Sequence, residues 1–273
     1  MNKIYQKNEV FFAILCIVVY VVGTSAAEAI AATAGIVKLP SMIFHVLFSI
    51  VLFVWMKKNG LFEKYGLKLP EYRLSRAWFF IPLMLIGFSS IFFGVTQKYP
   101  VPETVFYIIS MLCVGFLEEV IFRGFLFVGM SQKNVRSAII VSSVTFGIGH
   151  IVNLLNGQDV LETLCQIAFA VAVGFMLVTL FYKGKSLIPC IIFHGINNAL
   201  SAISDEEASL RIFGTAEKEL WISVSIAIVI AVVYSIAMWK NLSPEAGNNG
   251  DKSKADTNRT AGNTGDPMPQ DHR

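Results

Sequence analysis

Eight apolar runs separated by short polar stretches fill most of the chain. They cover residues 10–30, 41–56, 77–95, 104–130, 137–155, 160–182, 186–203 and 219–239. Crossing a bilayer as a helix takes roughly 20 apolar residues, so 41–56 and 186–203 are on the short side. Helices are the default because hydrocarbon offers the backbone groups of a lone span no other partner. The pattern therefore predicts an all-α polytopic membrane protein, with about eight transmembrane helices in a domain over residues 1–240. From residue 241 to 273 large apolar residues almost vanish and Gly, Asn, Asp and Pro take over. Such a stretch cannot bury enough surface to offset its chain entropy, and it reads as a disordered tail.

Loop charges set the orientation. With the N-terminus cytoplasmic, the inner side holds Lys3, Lys7, Lys57, Lys58, Lys64, Lys68, Arg73, Arg76, Lys133, Arg136, Lys183 and Lys185. The outer side holds only Lys38, Lys98, Arg211 and Lys218. This bias follows the positive-inside rule and leaves both termini in the cytoplasm. The first run, with Lys3 and Lys7 before it and "TSAA" after, has the outline of a signal peptide. A retained first span explains the same residues and is the preferred reading. The basic stretch "GLFEKYGLKLP" reads as a surface loop held near anionic headgroups.

Composition agrees with the pattern. Of 273 residues, 55% are hydrophobic and 15% charged, where soluble domains carry about 25% charged residues; mean hydropathy is +0.61. No phosphate-binding glycine loop and no basic patch interleaved with aromatics is present, so nucleic acid is not an expected partner. The expected partners are membrane lipid and a membrane-bound protein or peptide. Cys16, Cys113, Cys165 and Cys190 lie in apolar runs without a C-x-x-C pair, as small buried hydrophobes do.

Three spans carry chemistry that lipid would penalise. The fourth contains "FLEEVIFRGF". Insertion scales put one central charge at roughly 2.5–3.5 kcal/mol, so Glu118, Glu119 and Arg123 together reach on the order of 7–10 kcal/mol if each faced lipid alone. The set makes sense only around an intramembrane polar cavity. Glu119 and Arg123 stand i, i+4, within reach of an ion pair. Glu118 points about 100° away around the helix, free to act as a general base. The fifth span reads "TFGIGHIVN", with Phe146 one turn before His150, and the seventh reads "FHGINNAL", with His194 one turn before Asn198. Glu118 and His150 could hold and deprotonate a water, while His194 and Asn198 could donate to the oxyanion formed when it attacks a carbonyl. Two His and one Glu (Glu118, His150, His194) also match a zinc set by residue type, although H-E-x-x-H is absent.

Taken in order, E-E-x-x-x-R, F-x-x-x-H and H-x-x-x-N on separate spans resemble the three motifs of the CPBP (CAAX-processing and bacteriocin-processing, also ABI) intramembrane proteases, which include the type II CAAX prenyl endopeptidases. The resemblance covers residues 104–201 as a catalytic core. It implies an endopeptidase, glutamate- or metal-dependent, acting on a membrane-associated substrate that is prenylated and CAAX-like or bacteriocin-like. Carried onto this chain, Glu118 is the base, Glu119 and Arg123 support it, His150 shares the water, and His194 with Asn198 serves the oxyanion. No metal or cofactor is required by these residues; zinc is compatible with them. The short positive-inside chain without an organelle signal points to a bacterial plasma membrane.

Rival readings explain less. A non-catalytic scaffold or self-immunity protein would retain the fold without using the acids. A Cys190–His194 nucleophile, or a bis-His haem on His150 and His194, leaves the glutamates without a task. Glu28 is expected at the outer interface, and His45 and Gln166 as interhelical hydrogen bonders.

Overall fold

The structure, a computed structural model, describes residues 1–69 and 80–241. Arg73, Arg76 and the tail from 242 onward lie outside the described residues. In chain order the helices are α1 (Asn2–Lys7), α2 (Glu9–Ala34), α3 (Leu39–Lys58), α4 (Ile81–Gly87), α5 (Val101–Glu118), a π-helical segment Glu119–Phe127, α6 (Val128–Ser131), α7 (Val135–Gly149), a 3-10 turn His150–Leu154, α8 (Val160–Gly184), α9 (Ile188–Leu200), α10 (Glu206–Phe213) and α11 (Ala216–Asn241). No strand forms among the described residues; Val95 and Ser204 make one isolated antiparallel bridge.

The starts of these helices are written in the sequence. Asn8, Asn134, Asp159 and Asp205 accept from the backbone N–H groups of Phe11, Ser137, Leu161 and Ala208, which caps α2, α7, α8 and α10. Proline occupies the first turn of α3, α4, α5 and α9, where its missing N–H costs no hydrogen bond.

Six helices are long and apolar enough to cross a membrane: Glu9–Ala34, Leu39–Lys58, Val101–Ser131, Val135–Leu154, Val160–Gly184 and Ala216–Lys240. The all-α polytopic expectation holds, but two of the eight expected spans are not full-length helices. Within the third run the described helix α4 has seven residues. It stops where Ser89 Oγ donates to the Ile86 carbonyl at 2.8 Å, competing with the helical ladder. A 3-10 turn Ser89–Ile91 follows, and further on Thr96 N–H donates to the Ile203 carbonyl. The seventh run becomes α9, with 13 residues, about 20 Å at 1.5 Å per residue against a hydrocarbon core of about 30 Å.

Packing converges on α5 and its π-helical continuation. α5 lies along α3 and α9, α7 along α8, α8 along α11, and α2 crosses the π-helical segment. All nine residues Glu119–Phe127 are buried. In contrast, apolar side chains such as Val18, Val22, Leu47, Ile50, Val229 and Val233 remain exposed, as lipid-facing positions must.

Candidate active site

The site depends on how closely α5 and α9 approach. A Cβ on Gly115 would stand 2.4 Å from the Gly195 amide nitrogen. With two glycines at the crossing the backbones touch, and this carries His194 to the carboxylates at the end of α5. Small residues are the usual means of close helix approach where no hydrophobic effect separates helix from lipid.

Beyond Glu118 the helix widens into the π form. Segments of this kind are rare and recur at functional sites, because the looser ladder frees backbone groups. Here the Phe122 carbonyl accepts from Ser142 Oγ of α7 at 2.9 Å.

Glu119 and Arg123 form the predicted ion pair, with Nη1 3.0 Å from Oε1 and both side chains fully buried. Arg123 also sets its guanidinium over the Phe146 ring, 4.0 Å from the centroid. That ring stands edge-on to both His150 and His194, at 5.4 and 5.6 Å. Phe146 is thus the hub of the cluster, a role its place beside His150 in the sequence did not convey.

His194 joins the two carboxylates. Its Nδ1 lies 2.8 Å from Glu119 Oε1 and its Nε2 3.3 Å from Glu118 Oε2. Glu119, paired with Arg123, is an acceptor, so Nδ1 carries a hydrogen and donates it. The second edge is then a hydrogen bond only when one proton is shared between Nε2 and Oε2. Glu118 is therefore not the free carboxylate that helical spacing suggested. Its other oxygen, Oε1, accepts from the Tyr20 hydroxyl of α2 at 2.7 Å.

His150 opens the 3-10 turn that follows α7 and is half-buried. Its Nδ1 donates to the Phe146 carbonyl at 3.2 Å. That bond fixes the tautomer and leaves Nε2 as an acceptor. His150 and Glu118 line one cavity of about 90 Å³ together with Tyr20, Thr24, Phe122 and Asn153, room for several waters. Asn198 lies one turn beyond His194, its side-chain carbonyl accepting from Asn197 at 3.3 Å; it is not among the residues lining this cavity.

The zinc set is not assembled by these placements. Among the described residues no three His, Cys, Asp or Glu side chains gather as a metal would require. Glu118 and His194 meet, and His150, whose Nδ1 donates to the Phe146 carbonyl, stands outside that pair. Nor is Cys190 turned to chemistry with His194: its thiol donates to the Leu177 carbonyl.

The outlying polar residues are hydrogen-bonded as well. His45 bonds Thr24 of α2 and Ser110 of α5 at 3.0 and 2.9 Å. Gln166 accepts from Asn153 and Gln158. Glu28 holds Lys38 and Ser41 near the end of α2.

Comparison with known proteins agrees with the motifs. No curated protein matches the chain. Residues 100–200, which hold all six candidate residues, match the family model described as type II CAAX prenyl endopeptidase, Rce1-like. The segment that carries the cluster is thus similar to the type II CAAX prenyl endopeptidases of the CPBP family.

Proposed function

We propose that this integral membrane protein is an endopeptidase that hydrolyses a peptide bond of a membrane-associated protein or peptide, prenylated and CAAX-like or leader-like. One observation carries the reading: Glu118, tied to His194, shares a cavity large enough for several waters with a His150 whose free nitrogen is an acceptor.

When the shared proton lies on His194 Nε2, Glu118 is a carboxylate with a donor beside it. A water between Glu118 and His150 Nε2 passes a proton to Glu118 as its oxygen bonds the substrate carbonyl carbon. The carbonyl electrons move to oxygen, and that oxyanion accepts from His194 Nε2–H and the Asn198 amide. Collapse restores the carbonyl and breaks the C–N bond, and the proton held by Glu118 goes to the leaving amine. Glu119 and Arg123 act behind this step. Their pair fixes the Nδ1 hydrogen and so the orientation of the ring.

The test is Glu118→Gln, which keeps shape and removes the base. Membranes holding equal amounts of wild type and variant are compared by terminus-resolved mass spectrometry. New peptide ends in wild type alone are the expected result. The same peptide ends in both membranes, with the Glu118→Gln variant well folded, would reject the proposal in favour of a scaffold or immunity role.

A further inference from the structure

We infer that Tyr20, eighty residues upstream of the matched segment, is a positioning residue for Glu118. The inference rests on the endopeptidase reading for its consequence, but the contact stands on geometry alone. A tyrosine in the middle of a span is out of place by habit: its hydroxyl prefers the interface, and within hydrocarbon it must find a partner. Tyr20 is 8% exposed, and it turns its hydroxyl to Glu118 Oε1 at 2.7 Å. At this length the hydroxyl donates a full hydrogen bond to the carboxyl oxygen.

The bond does for Oε1 what His194 does for Oε2. A carboxylate on a flexible side chain has two torsions to lose before it can act, and anchoring both oxygens fixes its plane. The lone pair of Oε1 not used by Tyr20 is then available within the cavity that Tyr20 and Glu118 both line.

Tyr20 is itself held in place. Its ring packs 5.9 Å from the ring of His45 on α3. His45 is fully buried and spans Thr24 and Ser110 through its two nitrogens. The charged and titratable groups around Glu118 are Glu119 and Arg123 on its own chain segment, His194 on α9, His150 after α7, and His45 on α3; Glu28 lies two turns further along α2, paired with Lys38. The hydrogen bond to Oε1 comes from Tyr20. The helices α2 and α3, outside the family match, therefore complete the site rather than only enclose it.

The experiment uses full-length protein in lipid nanodiscs and a fluorogenic prenylated C-terminal peptide as probe. Tyr20→Phe is expected to lower kcat about tenfold, the worth of one hydrogen bond to a charged group, with KM within twofold. Replacing the Tyr20 ring by its fluorinated form, which keeps the donor, should preserve at least half the rate. An unchanged kcat in Tyr20→Phe, or equal losses in the two variants, would overturn the inference. A second arm needs no turnover: with tyrosine labelled at the ring carbon that bears oxygen, the NMR line lost in Tyr20→Phe should move in Glu118→Gln. A line that stays put would overturn it as well. If the probe is not cleaved by wild type but the line moves, the positioning contact stands and the endopeptidase reading is what fails.

Discussion

Two carboxylate–cation pairs with aromatic companions sit at different depths of this molecule. Near the chain start, Lys64 reaches Glu9 and the Tyr5 hydroxyl, both at 2.8 Å, and lies over the rings of Tyr5 and Tyr65. Tyr65 donates its hydroxyl to the other oxygen of Glu9. Inside the bundle, Arg123 reaches Glu119 and lies over Phe146. The first pair is 35% and 15% exposed, the second not at all. The shallow pair has a partner for each carboxylate oxygen. The deep pair leaves Arg123 Nε and Nη2 and Glu119 Oε2 without hydrogen bonds. A buried pair so incompletely satisfied is a poor stabiliser, since desolvation offsets most of its attraction. Its place is explained by what it holds, the imidazole of His194. The shallow pair is a clasp between the start of α2 and the loop after α3.

The contrast can be broken by substitution. Removing the cation from the deep pair, Arg123→Met, strands a buried carboxylate and should lower unfolding free energy by about 3–5 kcal/mol in detergent melts. Adding Glu119→Gln should restore most of that stability without restoring cleavage, because the neutral amide no longer anchors the His194 ring. A smaller effect is expected where geometry rather than charge is disturbed. Gly115→Ala drives a methyl into the Gly195 backbone and should cost about 1–3 kcal/mol while reducing cleavage. Gly124→Ala, whose nearest neighbour would be 3.8 Å away, should leave stability level or slightly higher, as read in the same melts.

The smallest effect belongs to the clasp. Lys64→Met should cost no more than about 1 kcal/mol, and less in high salt. Burial pulls the Lys64 ammonium down, but hydrogen bonds to Glu9 and Tyr5 outweigh it and leave its pKa above the ordinary lysine value of 10.5. A group whose pKa is raised on folding adds stability that is complete below its unfolded value and fades as pH climbs through the folded one. The difference between wild type and Lys64→Met should thus stay flat from pH 7 to about pH 10 and shrink above it.

Much of this arrangement was legible in the residues. Apolar runs located the long helices, and the penalty on Glu118, Glu119 and Arg123 demanded an interior cavity. The i, i+4 step of Glu119 and Arg123 gave their pairing. The π form of Glu119–Phe127 was not legible, because hydropathy reports burial and not the pitch of the backbone. Nor was the bond between Glu118 and Tyr20, which depends on how α2 crosses the π-helical segment and has no local spacing to reveal it. A lone tyrosine ten residues inside an apolar run was the available sign. Phe12, Ala13, Cys16 and Tyr20 of the first apolar run are buried in the core.

The brevity of α9 bears on the lipid as much as on the protein. A helix of 13 residues falls about 10 Å short of the hydrocarbon thickness, and a bilayer meets such a deficit by pinching inward around it. His194 is the seventh of those residues, some 10 Å from either end by the helical rise. Were a bilayer to thin to that length beside α9, a polar backbone following the headgroups inward would reach the level of His194 after about a third of the usual apolar depth.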